Sequence, residues 1–264
     1  MSGATPAAST ALETVVRHER ALLAAAIVAT SALCWVWIVP MARDMYGAMT
    51  GPSAWMMTPV WDAPHVALLC AMWIVMMIGM MLPSAAPVLL MYAAIMRRSG
   101  GPRAALRVYP MAAGYLLVWA GFSVALALVQ RLLGAALVLS PMMTLVSPAA
   151  GAAVLLAAAV YQLTPFKQAC LDTCRSPVAF LTAYIRPGAA AAFRLGLRHG
   201  VFCVGCCWAL MLLLFVGGVM NLWTIAALTG FVLFEKLAPL GHRSRMVSAA
   251  GLAAAALWLL LRPL

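Results

Sequence analysis

Apolar residues fall into long runs separated by short polar stretches. The runs cover 21–40, 65–96, 108–130, 146–163, 199–220, 222–236 and 246–262. Crossing the hydrocarbon core of a bilayer takes about 20 mostly apolar residues, so the pattern predicts an all-α, polytopic transmembrane helical bundle of about seven spans. The second run would be roughly 48 Å long as one straight helix at a rise of about 1.5 Å per residue. Pro83 and Pro87 lie inside it, which predicts a kink or break at Pro83-Ser84-Ala85-Ala86-Pro87. The sixth run is short and ends at Glu235-Lys236.

The charges between the runs orient the bundle. With the N-terminus in the cytoplasm, the inner segments hold Arg17, Arg20, Arg97, Arg98, Arg103, Arg107, Lys167, Arg175, Arg186, Arg194, Arg198, Lys236, Arg243 and Arg245. That leaves only Arg43, Arg131 and Arg262 of the 17 Lys and Arg residues elsewhere. Such an excess on one side follows the positive-inside rule, and a wrong span count would scramble it. Residues 1–20 read as a cytoplasmic N-terminal segment, and 21–264 as one transmembrane domain with a cytoplasmic cysteine-bearing loop at 164–198. The first run reads as a retained helix, because its far end carries bulky Trp35-Val36-Trp37 where a signal peptide would have small residues.

The loop has local structure of its own. Thr164-Pro165 supplies an N-cap and a first-turn proline, and Ser176-Pro177 a stop. A helix over about 165–175 would carry Cys170 and Cys174 on one face. After Arg186-Pro187-Gly188 a second helix would run into the fifth span, with Arg194 and Arg198 snorkelling to headgroups. The alanine runs 189–192 and 253–256 read as helix packing.

Composition agrees with the runs. Hydrophobic residues make up 66% of the 264, and charged residues 9%, against about 25% charged in a soluble domain. A formal charge of +11 would suggest nucleic acid in a soluble protein. Here it belongs to membrane topology, and no nucleic-acid partner is expected.

Chemistry concentrates at one face. His199, Cys203 and Cys206 follow a 0, 4, 7 helical stripe with Cys207 adjoining, near the cytoplasmic end of span five. Cys170 and Cys174 lie on the loop at the same face as an exposed pair. A single cysteine in a membrane helix is ordinarily a small packing residue. Five within residues 170–207, in two groups beside a histidine, point instead to metal or redox chemistry. Thiolates and imidazole suit Cu(I) or Zn²⁺, and the spacing, which is not a zinc-finger pattern, does not choose between them. Cytosolic thiols stay reduced, which argues against a structural disulfide. The remaining cysteines, Cys34 and Cys70, form no C-x-x-C pair on the opposite side.

A methionine run is the second candidate. Met72, Met76 and Met80 form one stripe, Met77 and Met81 the next. Methionine is an adaptable packing residue, but thioethers bind Cu(I) without losing a proton. Beside a thiol cluster, Met76, Met77, Met80 and Met81 read as an intramembrane relay, which Met211 would face. Glu235 and Lys236 read as an interfacial ion pair, Asn221 as a tight-turn residue, and Asp62 with His65 as a cation-capturing pair at the outer mouth of span two. His18 and His242 read as solvated. No P-loop, dinucleotide fingerprint, H-E-x-x-H or serine elbow occurs.

Several of these segments together resemble a known family. They are Met80-Met81-Leu82-Pro83-Ser84-Ala85-Ala86-Pro87, Tyr161-Gln162-Leu163-Thr164-Pro165-Phe166-Lys167, Arg198-His199-Gly200, Cys203-Val204-Gly205-Cys206-Cys207-Trp208 and Gly217-Gly218-Val219-Met220-Asn221. With Cys170 and Cys174 they resemble a bacterial family of predicted metal-binding integral membrane proteins, labelled as a domain of unknown function or as copper chaperones. The resemblance spans about 65–240. It implies copper handling in the bacterial inner membrane, with partners such as a soluble metal carrier or a co-encoded membrane or periplasmic protein. The alternative expectation is a membrane thiol oxidoreductase or a subunit of a membrane metalloenzyme.

Overall fold

The computed structural model describes residues 6–47, 62–98, 105–140, 142–237 and 241–261, with only the backbone described at 6–19, 105 and 241–244. Arg103, Arg262, and the side chains of Arg17, His18, His242 and Arg243 lie outside the described residues. Nine helices of eight residues or more are described: α1 (Pro6–Met45), α2 (Ala63–Arg98), α3 (Val108–Ala135), α4 (Pro148–Leu163), α5 (Pro165–Arg175), α6 (Pro177–Tyr184), α7 (Ala189–Met211), α8 (Leu222–Leu237) and α9 (Gly241–Leu261). Among the described residues there is no strand beyond an isolated Leu139–Leu145 bridge.

The expected all-α class is met, while fewer than the seven expected spans are evident from helix length and composition. Four stretches are long and apolar enough to cross a membrane: Arg20–Met45, Ala63–Arg98, Val108–Ala135 and Ala189–Gly217. The α4–α5 pair, bent by 66° at Thr164, makes a fifth if it is one broken span. The expected sixth run forms a helix of 16 residues, about 24 Å at the helical rise, against a core of about 30 Å. The seventh, over Arg245–Leu261, is also short. Outward-facing Leu33, Leu132, Val160 and Trp223 give the bundle an apolar exterior, compatible with lipid as solvent.

Local signals act where the sequence puts them. Ser147 and Thr164 cap α4 and α5, each ahead of a first-turn proline, their hydroxyls accepting from the backbone N–H groups of Ala150 and Lys167. Asp62 caps α2, its Oδ1 accepting from the His65 N–H at 3.0 Å. Asn221 Oδ1 likewise takes the N–H groups of Trp223 and Thr224 at the start of α8. The expected break in the second run does not occur. One helix continues through Pro83 and Pro87, and the Met81 carbonyl accepts hydroxyls from both Ser84 and Tyr115.

Small residues set how closely the helices approach. A Cβ at Gly196 would lie 1.9 Å from the Met111 carbonyl oxygen, one at Gly114 2.2 Å from that of Phe193, and one at Gly200 2.8 Å from Val118 Cβ. The α3–α7 crossing is thus a backbone-to-backbone contact through a small-xxx-small face. Gly79 on α2 receives Cys34 of α1 in the same way. Trp73 Nε1 donates to Gln130 Oε1 at 2.7 Å, pinning α2 to α3. The guanidinium carbon of Arg198 lies 4.0 Å over the Tyr184 ring.

Candidate metal centre at the thiol cluster

The cluster is assembled on α7 and closed from three sides. Because α3 crosses α7 at glycines, Tyr115 reaches Cys203, with its hydroxyl 3.1 Å from the sulfur. From α8, Lys236 Nζ donates to Cys203 Sγ at 2.8 Å and to Ser84 Oγ of α2 at 2.9 Å. One turn further along α7, the thiols of Cys206 and Cys207 donate to the Cys203 carbonyl at 3.1 and 2.9 Å. All three of these cysteines are buried.

Helix α5 covers the remaining side. Cys174 lies close enough to Cys206 for the two thiols to interact electrostatically, and Cys170 Sγ would lie 2.8 Å from a Cβ at Gly205. Gly205 therefore leaves the space in which α5 docks, and the Tyr161 hydroxyl donates to its carbonyl. The two cysteine groups meet. The expected exposed pair does not exist, since Cys170 is buried and Cys174 half-buried. An amphipathic 11-residue helix with little apolar area of its own needs this covered face to stay docked.

His199 is also buried, stacked between the Tyr115 ring at 5.6 Å and the Phe180 ring at 5.2 Å. Its Nδ1 has no hydrogen-bond partner. A buried imidazole nitrogen without a partner is costly to keep, and Cys206 and Lys236 are its charged neighbours. Among the described residues, no three His, Cys, Asp or Glu side chains form a group able to hold a metal ion as they stand. Two thiols turn to one carbonyl, and the third is held by Lys236.

The charged residues depart most from expectation. Glu235 does not pair with its neighbour Lys236. Its Oε2 lies 2.8 Å from Lys167 Nζ, with both side chains at most 2% exposed. Successive residues on a helix point about 100° apart, so one faces α5 and the other faces the thiols. Arg175 Nε adds a bond to the Glu235 carbonyl at 2.7 Å. Arg245 of α9 bonds the carbonyls of Gln162 and Thr164 and the side chain of Gln168 at the base of α5. Lys236, Tyr115 and Ser84 were not legible as site residues. Lys236 read as an interfacial charge because it ends an apolar run, Tyr115 sits in an apolar helix without a motif, and Ser84, though inside the Met80–Pro87 segment, has no ligand chemistry that singles it out. The one available hint was Lys236 at the end of a run too short to carry it clear of the core.

Met72, Met76, Met77, Met80 and Met81 are all buried on α2, at most 1% exposed, as is Met211. The Met81 carbonyl lies against Tyr115, one hydrogen bond from Cys203. A model of the PpoB2 copper chaperone family matches residues 70–259. The chain belongs to that family. The match includes α3 to α8, every cysteine and lysine of the cluster, and the methionine run, while α1 and the Asp62–His65 cap fall outside it. No curated protein and no solved structure matches the chain. The PpoB2 family name supports copper handling, and the long apolar helices suit a membrane setting.

Proposed function

We propose that this chain takes Cu(I) as cargo into the thiol cluster and hands it to an acceptor. Cys203 and Cys206 are the thiolate ligands, Cys207 and His199 adjoin them as neutral groups, and Cys170 and Cys174 exchange metal. Met76, Met77, Met80 and Met81 form the route through the membrane interior. The observation that supports this reading is the meeting of the two cysteine groups, Cys170 beside Gly205 and Cys174 beside Cys206, on the helix that also carries the unpartnered imidazole nitrogen of His199. Soft thiolates and thioethers favour Cu(I), with Zn²⁺ the second candidate. Loading requires the Cys206 thiol to turn away from the Cys203 carbonyl, a side-chain rotation within one helical turn.

In this reading the chain lies in the bacterial inner membrane with its N-terminus inside. Helices α4, α8 and α9 supply the crossings beyond the four long ones, and the asymmetry of Lys and Arg supports that orientation. The cluster then opens toward the cytoplasm, where a soluble metal carrier would meet it, and a membrane or periplasmic protein would receive the metal. The test is metal analysis of protein purified in detergent after growth with copper. Wild type should retain copper that a Cys203→Ser/Cys206→Ser/Cys207→Ser variant lacks. Equal copper in the two would overturn the proposal.

A further inference from the structure

Lys236 is a cation placed where a cation-binding site would be expected to exclude one. Its side chain is buried, and its Nζ contacts Cys203 Sγ at 2.8 Å and Ser84 Oγ at 2.9 Å. Its next polar neighbours are Tyr115, Cys174 and Cys206. The adjacent carboxylate, Glu235, is taken by Lys167. Among the described residues, the acidic groups that this ammonium faces are thiols and the Tyr115 phenol, in surroundings where an uncompensated charge is expensive.

We infer that Lys236 is a specificity-determining residue, selecting a monovalent over a divalent metal at the thiol cluster. This rests on the copper reading above. The argument is charge arithmetic in a buried site. Two thiolates, one Cu(I) and one ammonium sum to zero. The same two thiolates with Zn²⁺ and the ammonium leave a net positive charge, and neutrality then requires a third thiolate. Cu(I) is satisfied by two soft ligands, whereas zinc sites are tetrahedral with four, and Lys236 takes up the side of Cys203 from which further ligands would approach. Ser84 and the helix through Pro83 and Pro87 hold the ammonium in place, so the charge is built into the wall and does not move with the metal.

The experiment compares full-length wild type with Lys236→Met, Lys236→Gln and Lys236→Arg in detergent. Cu(I) and Zn²⁺ affinities are measured separately against chromophoric chelators, and the metal's coordination number by X-ray absorption. Wild type should prefer Cu(I). The two neutral variants should lose Cu(I) affinity by roughly ten- to a hundredfold, the equivalent of one charge-assisted hydrogen bond, with zinc affinity unchanged or raised. Lys236→Arg should keep the wild-type preference. Neutral variants with the wild-type copper-to-zinc ratio would overturn the inference while leaving the copper reading intact. If a neutral variant does not fold, wild type still decides: zinc bound as tightly as Cu(I) at the cluster overturns the inference. Wild type that binds no Cu(I) at all overturns the parent reading instead.

Discussion

The Lys167–Glu235 pair ties the helix that covers the thiols to α8, and Glu235→Gln is the change that tests it. At 2.8 Å the Coulomb attraction is about 6 kcal/mol for an effective dielectric of about 20. Desolvating each ion costs several kcal/mol in return, so the pair as a whole contributes little net stability. Removing one partner is different, because it strands the other as a buried charge. Glu235→Gln, or Lys167→Met alone, is expected to destabilise the protein by about 3–5 kcal/mol. The double variant Lys167→Met/Glu235→Leu should recover most of that loss. The assay is reversible unfolding in mixed detergent micelles, read by tryptophan fluorescence, with all four proteins of the cycle. A parallel measurement is the alkylation rate of Cys170 and Cys174, which should rise in each single variant as α5 loosens. If the double variant loses as much as the two singles added together, the side chains do not interact, and the ion pair is not what holds α5.

Three other outcomes follow from the packing. Gly205→Val fills the space that Cys170 occupies, 2.8 Å from the added carbon, and should raise alkylation of Cys170 and Cys174 without unfolding the bundle; unchanged rates would show that α5 docks elsewhere. Gly196→Leu would drive a side chain into the Met111 carbonyl, 1.9 Å away, and should abolish the folded monodisperse species on size-exclusion chromatography, whereas Gly121→Leu, with nothing within 4 Å, should leave it intact. Asn221→Ala removes the acceptor for two N–H groups at the start of α8 and should cost about 1 kcal/mol in the same unfolding assay; no change would mean that water caps that helix equally well.

Much of the architecture was legible in the residues because it depends on local or one-dimensional physics. Apolar runs have to be helices where water is absent, since each backbone polar group needs a partner within its own segment. Thr164-Pro165 and Ser176-Pro177 bound α5 at Pro165 and Arg175, because capping is decided by three or four neighbouring residues. The 0, 4, 7 stripe of His199, Cys203 and Cys206 held for the same reason.

What the run pattern could not decide was depth and partnership. A 16-residue α8 with Lys236 near its end looks like a span leaving the membrane. Whether that lysine reaches water or thiols depends on how closely α2 and α7 approach it. That approach is set by side chains as far away in sequence as Ser84 and Cys203. The meeting of Cys174 with Cys206 likewise rests on the 66° bend at Thr164 and the missing side chain at Gly205. Sequence alone determined where the thiols and the imidazole fall along the helix and which face carries them, through helical periodicity. Only the tertiary structure decided that these residues share one buried site with a lysine, because long-range helix crossing, not local preference, fixes which charges must balance there.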